Sequence, residues 1–175
     1  MPVSLVAKVP FALLVNPAAP MRNLQEFVER ARLQPGKLSV ANEGPKAFSG
    51  ILARLLNSRA GIDTNLVAYA SVVAGVTETV GGQTDAILCD LALATQMARN
   101  GRLRPIAVTT ARRVAGWEDV PPMSELLPGF DFAGWLSVVA PSWLSSMRVG
   151  VKSPRRSGCW RNEWAAVAAV GPARA

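Results

Sequence analysis

The chain has 175 residues, of which half are hydrophobic and 18 % are charged. That length suits one ordinary domain, and that much apolar material excludes a chain disordered throughout. The sequence has no histidine and two cysteines, which excludes histidine-based catalysis and most zinc sites and indicates no disulfide framework.

The positive charge is concentrated near the C-terminus. The net charge is +7, yet residues 145–175 hold six basic residues and one acidic residue, so the rest of the chain is close to neutral. A broad basic surface for nucleic acid is therefore not indicated, and we expect no nucleic-acid partner. We expect two parts, a folded lobe over residues 1–144 and a basic, poorly ordered tail over residues 145–175.

The N-terminal run Val3–Val15 is apolar but does not have the pattern of a signal peptide. It lacks a basic start, Lys8 lies in its middle, and Pro10 interrupts it. We expect a buried strand or strand pair here. Without an export signal, the chain is expected to be cytoplasmic or not exported, and no apolar run is long enough to span a membrane.

Helical and strand patterns then alternate. Asn23 followed by Glu26 is a helix start signal, and apolar spacing predicts a helix over Leu24–Arg32. A strand over Lys37–Ala41 and a helix over Phe48–Arg59 follow, the latter closed by Gly61. The same alternation predicts strands over Asn65–Ala68, Asp85–Cys89 and Leu103–Thr109 and helices over Val72–Val80 and Leu91–Arg99.

This alternation is typical of βαβ units and predicts an α/β domain with a mostly parallel sheet flanked by helices. Further on, Ser124–Leu127 is expected to form a helical turn. Trp135–Ala140 is expected to be a strand stopped by Pro141.

No motif of catalysis is present. The sequence has no glycine-rich phosphate loop, nucleophile elbow or zinc-protease motif, and its carboxylates are scattered. We therefore expect no enzyme, no cofactor and no metal site.

Two strand-to-helix junctions are candidates for ligand binding, Asn42–Ser49 and Tyr69–Ser71. Ligands of open α/β sheets lie beyond the carboxyl ends of strands, where helix N-termini offer free amides to a carboxylate or phosphate. The proposed contacts are backbone approach at Gly44, hydroxyl donors at Ser49 and Ser71, and charge at Lys46. The same residues also fit ordinary caps and turns.

Two acidic residues complicate this interpretation. Glu43 would repel an anionic ligand unless its carboxylate points away. Asp90 follows a buried strand, where it either accepts a bond from a ligand or caps the helix that begins at Leu91, and the cap is favoured.

Several segments, in order, resemble one family. They are Phe11-Ala-Leu-Leu-Val-Asn-Pro17, Asn23-Leu-Gln-Glu-Phe27, Gly101-Arg-Leu-Arg-Pro-Ile-Ala-Val-Thr-Thr110, Asp119-Val-Pro-Pro-Met-Ser-Glu125 and Gly134-Trp-Leu-Ser-Val-Val-Ala-Pro141. The sequence from Val3 to Pro141 resembles the Bug family, the extracytoplasmic solute receptors of tripartite tricarboxylate transporters.

The resemblance implies a type II periplasmic-binding-protein lobe with hinge strands, a periplasmic location, and transport through membrane components of a tripartite transporter. The ligand would be a small organic acid or acidic amino acid, held by backbone amides. Carried over to this sequence, the ligand loops are Ala41–Ser49 and Tyr69–Ser71. With Asp90, which is a candidate from its place at a strand end, the predicted ligand-binding residues are Asn42, Gly44, Lys46, Ala47, Phe48, Ser49, Tyr69, Ala70, Ser71 and Asp90.

The match also implies that part of the receptor is missing. The family's export signal and most of its first lobe would precede Val3, and the sequence after Pro141 does not match the family, as a change of reading frame would produce. We expect weak solute binding by half a site and an exposed apolar surface on the hinge strands. The alternative is an effector-binding domain of a LysR-like transcriptional regulator, which shares this lobe architecture.

Overall fold

The computed structural model describes residues 2–139, with side chains from residue 6 onward. The predicted tail over residues 145–175 lies outside the described residues. In chain order the elements are β1 (Pro2–Val15), α1 (Leu24–Leu33), β2 (Ser39–Asn42), α2 (Phe48–Ala60), β3 (Asn65–Ala68), α3 (Val72–Val80), β4 (Ala86–Asp90), α4 (Leu91–Arg99), β5 (Arg104–Val108), a 3-10 turn (Met123–Glu125) and β6 (Ala133–Val139).

Five strands form the sheet in the order β3-β2-β4-β1-β5, and β6 pairs with β1 outside this path. β2 pairs in parallel with β3 and β4, whereas β1 pairs antiparallel with β4, β5 and β6. The expected α/β sheet with flanking helices is present, and β2, β3, β4 and β5 all run in one direction. The pairing is mixed because β1 lies between β4 and β5 and runs against them.

β1 is long, and its two parts pair with different strands. Its C-terminal part, from Phe11 to Val15, pairs with β4 and β5. Among residues 2–139, its N-terminal part, from Pro2 to Pro10, pairs with β6 alone. The second pairing makes a two-stranded ribbon that leaves the lobe, and we call it the ribbon below.

Helices cover both faces of the sheet. Alternate strand residues separate the two sides: Leu13 and Val40 pack in the cluster that contains α1 and α2, whereas Leu14 and Ala41 pack in the cluster that contains α3 and α4. Both clusters consist mainly of buried aliphatic side chains. This is the two-sided burial expected of strands connected by crossover helices.

Most helix start and stop signals act as predicted. The Asn23 side chain accepts a hydrogen bond from the Glu26 amide at 2.8 Å, and Gly61 ends α2 in the left-handed conformation. The remaining boundaries differ from the sequence prediction by one or two residues. Among residues 2–139, no helix has the length and apolar character needed to cross a membrane.

Candidate functional site

The ends of β2, β3 and β4 meet at one edge of the sheet, and their helices diverge there. The chain leaves β2 toward α2 on one face, whereas it leaves β3 and β4 toward α3 and α4 on the other. Divergence of this kind opens a crevice at the carboxyl ends of the strands, which is where open α/β sheets bind ligands.

Both predicted junctions lie at this edge. Asn42, the last residue of β2, pairs with Ala68, the last residue of β3, and the Tyr69 amide donates to the Asn42 carbonyl at 2.8 Å. The two loops that follow are therefore neighbours. Their role in ligand binding remains a prediction.

The loop between β2 and α2 is held by its own polar groups. The Asn42 side chain accepts from the Gly44 amide at 2.8 Å and donates to the Val40 carbonyl at 3.3 Å. Gly44 has φ +102°, a conformation that favours glycine. Arg54 of α2 donates to the Pro45 carbonyl. These hydrogen bonds hold the loop in one defined turn.

The start of α2 carries no side-chain cap. Its N-cap residue is Ala47, which makes no capping hydrogen bond, so the first-turn amides of Phe48, Ser49 and Gly50 have no acceptor within the helix. Ala47 and Phe48 are half-buried and Lys46 is exposed. A helix start of this kind attracts an anion through its free amides and its partial positive charge.

The Ser49 hydroxyl is engaged within the loop. Ser49 is fully buried, its Oγ accepts from the Glu43 amide at 3.1 Å, and it lies 3.4 Å from the Glu43 carboxylate. The sequence predicts that this hydroxyl donates to a ligand, and in the structure it contacts Glu43, just after β2. Its role toward a ligand stays a prediction.

The second junction has a capped helix. Ser71 is the N-cap of α3, and its Oγ accepts from the Ala74 amide at 3.2 Å. Ala70 and Ser71 are exposed, and Tyr69 is half-buried against the cluster that contains α3. Because capping uses only an oxygen lone pair, the Ser71 hydroxyl hydrogen remains free to donate.

Asp90 caps α4, as the sequence favoured. Its Oδ1 accepts from the Leu93 amide at 3.0 Å. The neighbouring Cys89 is fully buried, and burial raises the pKa of its thiol to about 12, with the negative charges of Asp90 and Glu43 acting in the same direction. Cys89 is therefore an inert core thiol.

Two features of this edge escaped sequence reasoning. Phe11 of β1 meets Phe48 edge to face, with ring centroids 5.1 Å apart, and Phe11 is the β1 partner of Asp90. A Cβ on Gly50 would overlap the Gly44 carbonyl oxygen. A glycine at position 50, in the first turn of α2, is the sequence signal for this close approach of the loop to the helix.

Other concavities lie away from these junctions. A groove of about 630 Å³ runs beside α4 and is lined by Thr95, Arg99 and Trp117 among others. A smaller one of about 220 Å³ lies between α1 and the segment at Leu126 and Leu127. The part of the chain that the structure describes contains no group of three or more His, Cys, Asp or Glu residues that could hold a metal ion.

A mixed sheet with helices on both faces, and with the ends of β2, β3 and β4 at one edge, is the architecture of a periplasmic-binding-protein lobe, and solved structures of that class superimpose on it. The periplasmic binding protein BugD matches with a TM-score of 0.73 and 27 % identity, covering 78 % of this chain and 46 % of its own. MatC from Rhodopseudomonas palustris, solved with bound malate, matches with a TM-score of 0.72 and 27 % identity, covering 78 % and 47 %.

Residues 1–148 match the model of the tripartite tricarboxylate transporter family receptors, and the chain belongs to this family. A UPF0065 protein of Bordetella bronchiseptica is 33 % identical over 81 % of this chain and 42 % of its own length. Protein BugT of Bordetella pertussis is 28 % identical over 80 % and 43 %. The chain thus spans less than half the length of these relatives. The resemblance to the Bug family is confirmed, and the LysR-like alternative receives no support.

Proposed function

We propose that this chain supplies one lobe of a solute receptor and that it holds a small carboxylate-bearing solute at the carboxyl ends of β2, β3 and β4. The observation that carries the proposal is the uncapped start of α2 at the crevice. Its free amides are suited to a carboxylate, and the related MatC was solved with malate, a dicarboxylate.

The two junctions offer different kinds of hydrogen-bond donor to the solute. The amides of Phe48, Ser49 and Gly50 are the free donors at the α2 side of the crevice, and Ser71 offers a hydroxyl hydrogen at the α3 side. The half-buried rings of Phe11 and Phe48 form an apolar wall beside them. A carboxylate with a short carbon chain fits this combination of donors and apolar surface.

Binding by this chain is expected to be weak. Receptors of this architecture enclose a ligand between two lobes, and closure supplies much of the contact. The described residues supply one side of such a site. Periplasmic location and transfer of the solute to membrane components of a tripartite transporter are part of the same proposal, and family membership supports both.

Titration of the isotope-labelled full chain with malate, followed by NMR, tests this function. We expect saturable shifts of the amides of Gly44, Phe48 and Ser71, with an affinity on the order of millimolar. Ala47→Asp, which places a carboxylate cap on α2, should abolish those shifts, whereas Ser58→Asp, an exposed position late in α2, should leave them. Micromolar affinity would contradict the proposal that this chain supplies only one side of the ligand site. Shifts confined to the groove beside α4 would contradict binding at the ends of β2, β3 and β4.

A further inference from the structure

The turn that follows α4 contains the pair Asn100–Gly101, which the proposed function does not use. We propose that Asn100 is a site of covalent modification by deamidation, in which water converts its side-chain amide to a carboxylate and ammonia is released. This inference is independent of ligand binding at the ends of β2, β3 and β4.

Deamidation needs a free asparagine amide and an unhindered backbone nitrogen in the next residue. The Gly101 nitrogen, after losing its proton to a base from solvent, attacks Cγ of Asn100. The new C–N bond closes a succinimide ring, and the side-chain nitrogen takes up a proton and leaves as ammonia. Water then opens one of the two ring carbonyls and gives aspartate or isoaspartate.

The turn offers both of these groups. Asn100 is exposed and is the C-cap of α4, held there through its backbone amide, which donates to the Gln96 carbonyl at 3.2 Å. Gly101 is exposed with φ +63°, and beyond its chain neighbours no described atom lies within 4 Å of the position that a Cβ would occupy. Solvent therefore reaches the Gly101 amide, and no side chain obstructs ring closure.

One backbone hydrogen bond keeps the turn closed. The Gly101 amide donates to the Ala98 carbonyl at 3.0 Å, and Asn100 has ψ 2°. Ring closure requires the peptide plane between Asn100 and Gly101 to rotate toward Cγ, so this bond must break first. Helix ends open locally at low cost, and glycine tolerates the rotation. The reaction therefore starts from the opened turn.

The other asparagines among residues 2–139 do not combine these features. Four have side chains held by hydrogen bonds within the lobe, and these are Asn16, Asn23, Asn42 and Asn57. Asn65 lies in strand β3 and is followed by Leu66, whose side chain stands next to the attacking nitrogen. Asn100 is thus the described asparagine that precedes an open glycine.

The product alters the end of α4. A carboxylate at a helix C-terminus opposes the helix macrodipole, and the isoaspartate form lengthens the main chain within the turn. Arg99, the neighbouring residue, lines the groove of about 630 Å³ together with Asp119. Deamidation therefore adds a negative charge beside a groove wall that carries one cation and one anion.

Incubation of the full chain at neutral pH, followed by peptide mapping with mass spectrometry and isoaspartate quantification, tests this site. Asn100→Gln removes it, because glutamine forms a larger ring slowly. Gly101→Asn keeps a residue type that tolerates the left-handed conformation and adds a side chain beside the attacking nitrogen. Asn57, whose side chain accepts from Thr64 at 2.9 Å, is the internal control. Unfolding curves establish that each variant is folded, and a urea-unfolded sample gives the rate of the open turn.

We expect Asn100 to convert at least about tenfold faster than Asn57 in the folded chain, and more slowly than Asn100 in urea. Gly101→Asn should slow conversion at residue 100 by about tenfold, and Asn100→Gln should reduce conversion in this turn to background. Equal rates at Asn100 and Asn57, or conversion of Asn100 in urea alone, would overturn the proposal. An unchanged rate in Gly101→Asn would also overturn it, since the open space at Gly101 would then have no effect.

Discussion

Gly50 allows the β2–α2 loop to close onto the first turn of α2. A Cβ at this position would overlap the Gly44 carbonyl oxygen and lie 3.2 Å from the Asn42 side-chain oxygen. Asn42 in turn accepts the Gly44 amide. The shape of the candidate anion site therefore requires glycine, which has no side chain, at position 50.

Gly50→Ala tests this dependence. Alanine is favoured over glycine inside a helix by about 1 kcal/mol, but here the overlap should reverse the sign and lower the free energy of unfolding by about 1–2 kcal/mol. Chemical denaturation measures it. Gly81→Ala is the matched control, since Gly81 has φ −71° and its nearest contact is an ordinary 3.4 Å. A Gly50→Ala variant more stable than the parent would contradict the close contact.

The buried thiol of Cys89 makes stability depend on alkaline pH. Burial raises its pKa to about 12 in the folded chain, whereas in the unfolded chain the thiol ionises near about 8.5. The unfolded state therefore loses this proton first, and the contribution is complete below about pH 8.5 and is lost as pH rises toward 12. From this group we expect a loss of about 1.4 kcal/mol per pH unit above about pH 9.

Denaturation of the parent and of Cys89→Ala at pH 7, 9 and 10 measures this contribution. Other groups also titrate in this range, so the informative quantity is the difference between the two pH slopes. The parent should lose stability more steeply than Cys89→Ala. Parallel slopes would show that the thiol does not remain protonated in the folded state.

Local signals allowed the caps to be predicted, whereas contacts between distant residues could not be. The roles of Asn23, Ser71 and Asp90 follow from residue type and short spacing. The engagement of Ser49 by Glu43 depends on how the loop turns back on α2. No periodicity or composition carries that information.

Thr109 joins three strands where the ribbon leaves the lobe. Its hydroxyl accepts from the Phe11 amide of β1 at 3.1 Å and donates to the Phe132 carbonyl just before β6 at 2.6 Å. Its backbone pairs with the same two residues, each at 2.9 Å. Thr109 directly follows β5 and is fully buried, so one side chain links β1, β5 and the start of β6.

Thr109→Val keeps the shape of this side chain and removes its hydroxyl. We expect a loss of about 1–3 kcal/mol in unfolding free energy because the Phe11 amide and Phe132 carbonyl each lose a buried partner. Amide hydrogen exchange at Phe11 and in the ribbon should accelerate more than exchange in β2. Thr109→Ser, which retains the hydroxyl, should restore slow exchange. Equal acceleration throughout the sheet would indicate a general loss of stability instead.

Element types were predictable, but the place of β1 in the sheet was not. Hydrophobic periodicity located α3 and α4 with their observed bounds. The alternation of helices with strands predicts a mostly parallel sheet, and β2, β3, β4 and β5 do run in one direction. The C-terminal part of β1 pairs antiparallel with β4 and β5. Sequence periodicity does not tell which strands become neighbours, so this position of β1 is known only from the structure.

The family relationship and the lobe architecture were accessible from ordered sequence motifs, and both are confirmed. Individual ligand contacts were not, because they depend on which polar groups already have partners in the folded lobe. The expected exposure of apolar hinge strands is confirmed for the ribbon. It does not extend to the C-terminal part of β1, where Ala12, Leu13, Leu14 and Val15 are fully buried.

The ribbon carries large apolar side chains on both of its faces. Adjacent β6 residues Trp135 and Leu136 are 66 % and 58 % exposed, and the adjacent pair Val138 and Val139 are 50 % and 70 % exposed. Successive side chains of a strand point to opposite faces, so the described part of the ribbon exposes apolar side chains on both of its faces. Two-stranded ribbons are marginally stable alone, and open strand edges promote pairing with other chains.

We therefore expect the full chain to self-associate through the ribbon. The double variant Leu136→Lys/Val139→Lys places a charge on each face and should shift the chain toward monomer in sedimentation velocity, with little loss of stability because both positions are exposed. Leu33→Lys, at an 82 % exposed leucine that ends α1, is the control and should associate as the parent does. If the double variant associates as strongly as Leu33→Lys, a surface other than the ribbon drives association.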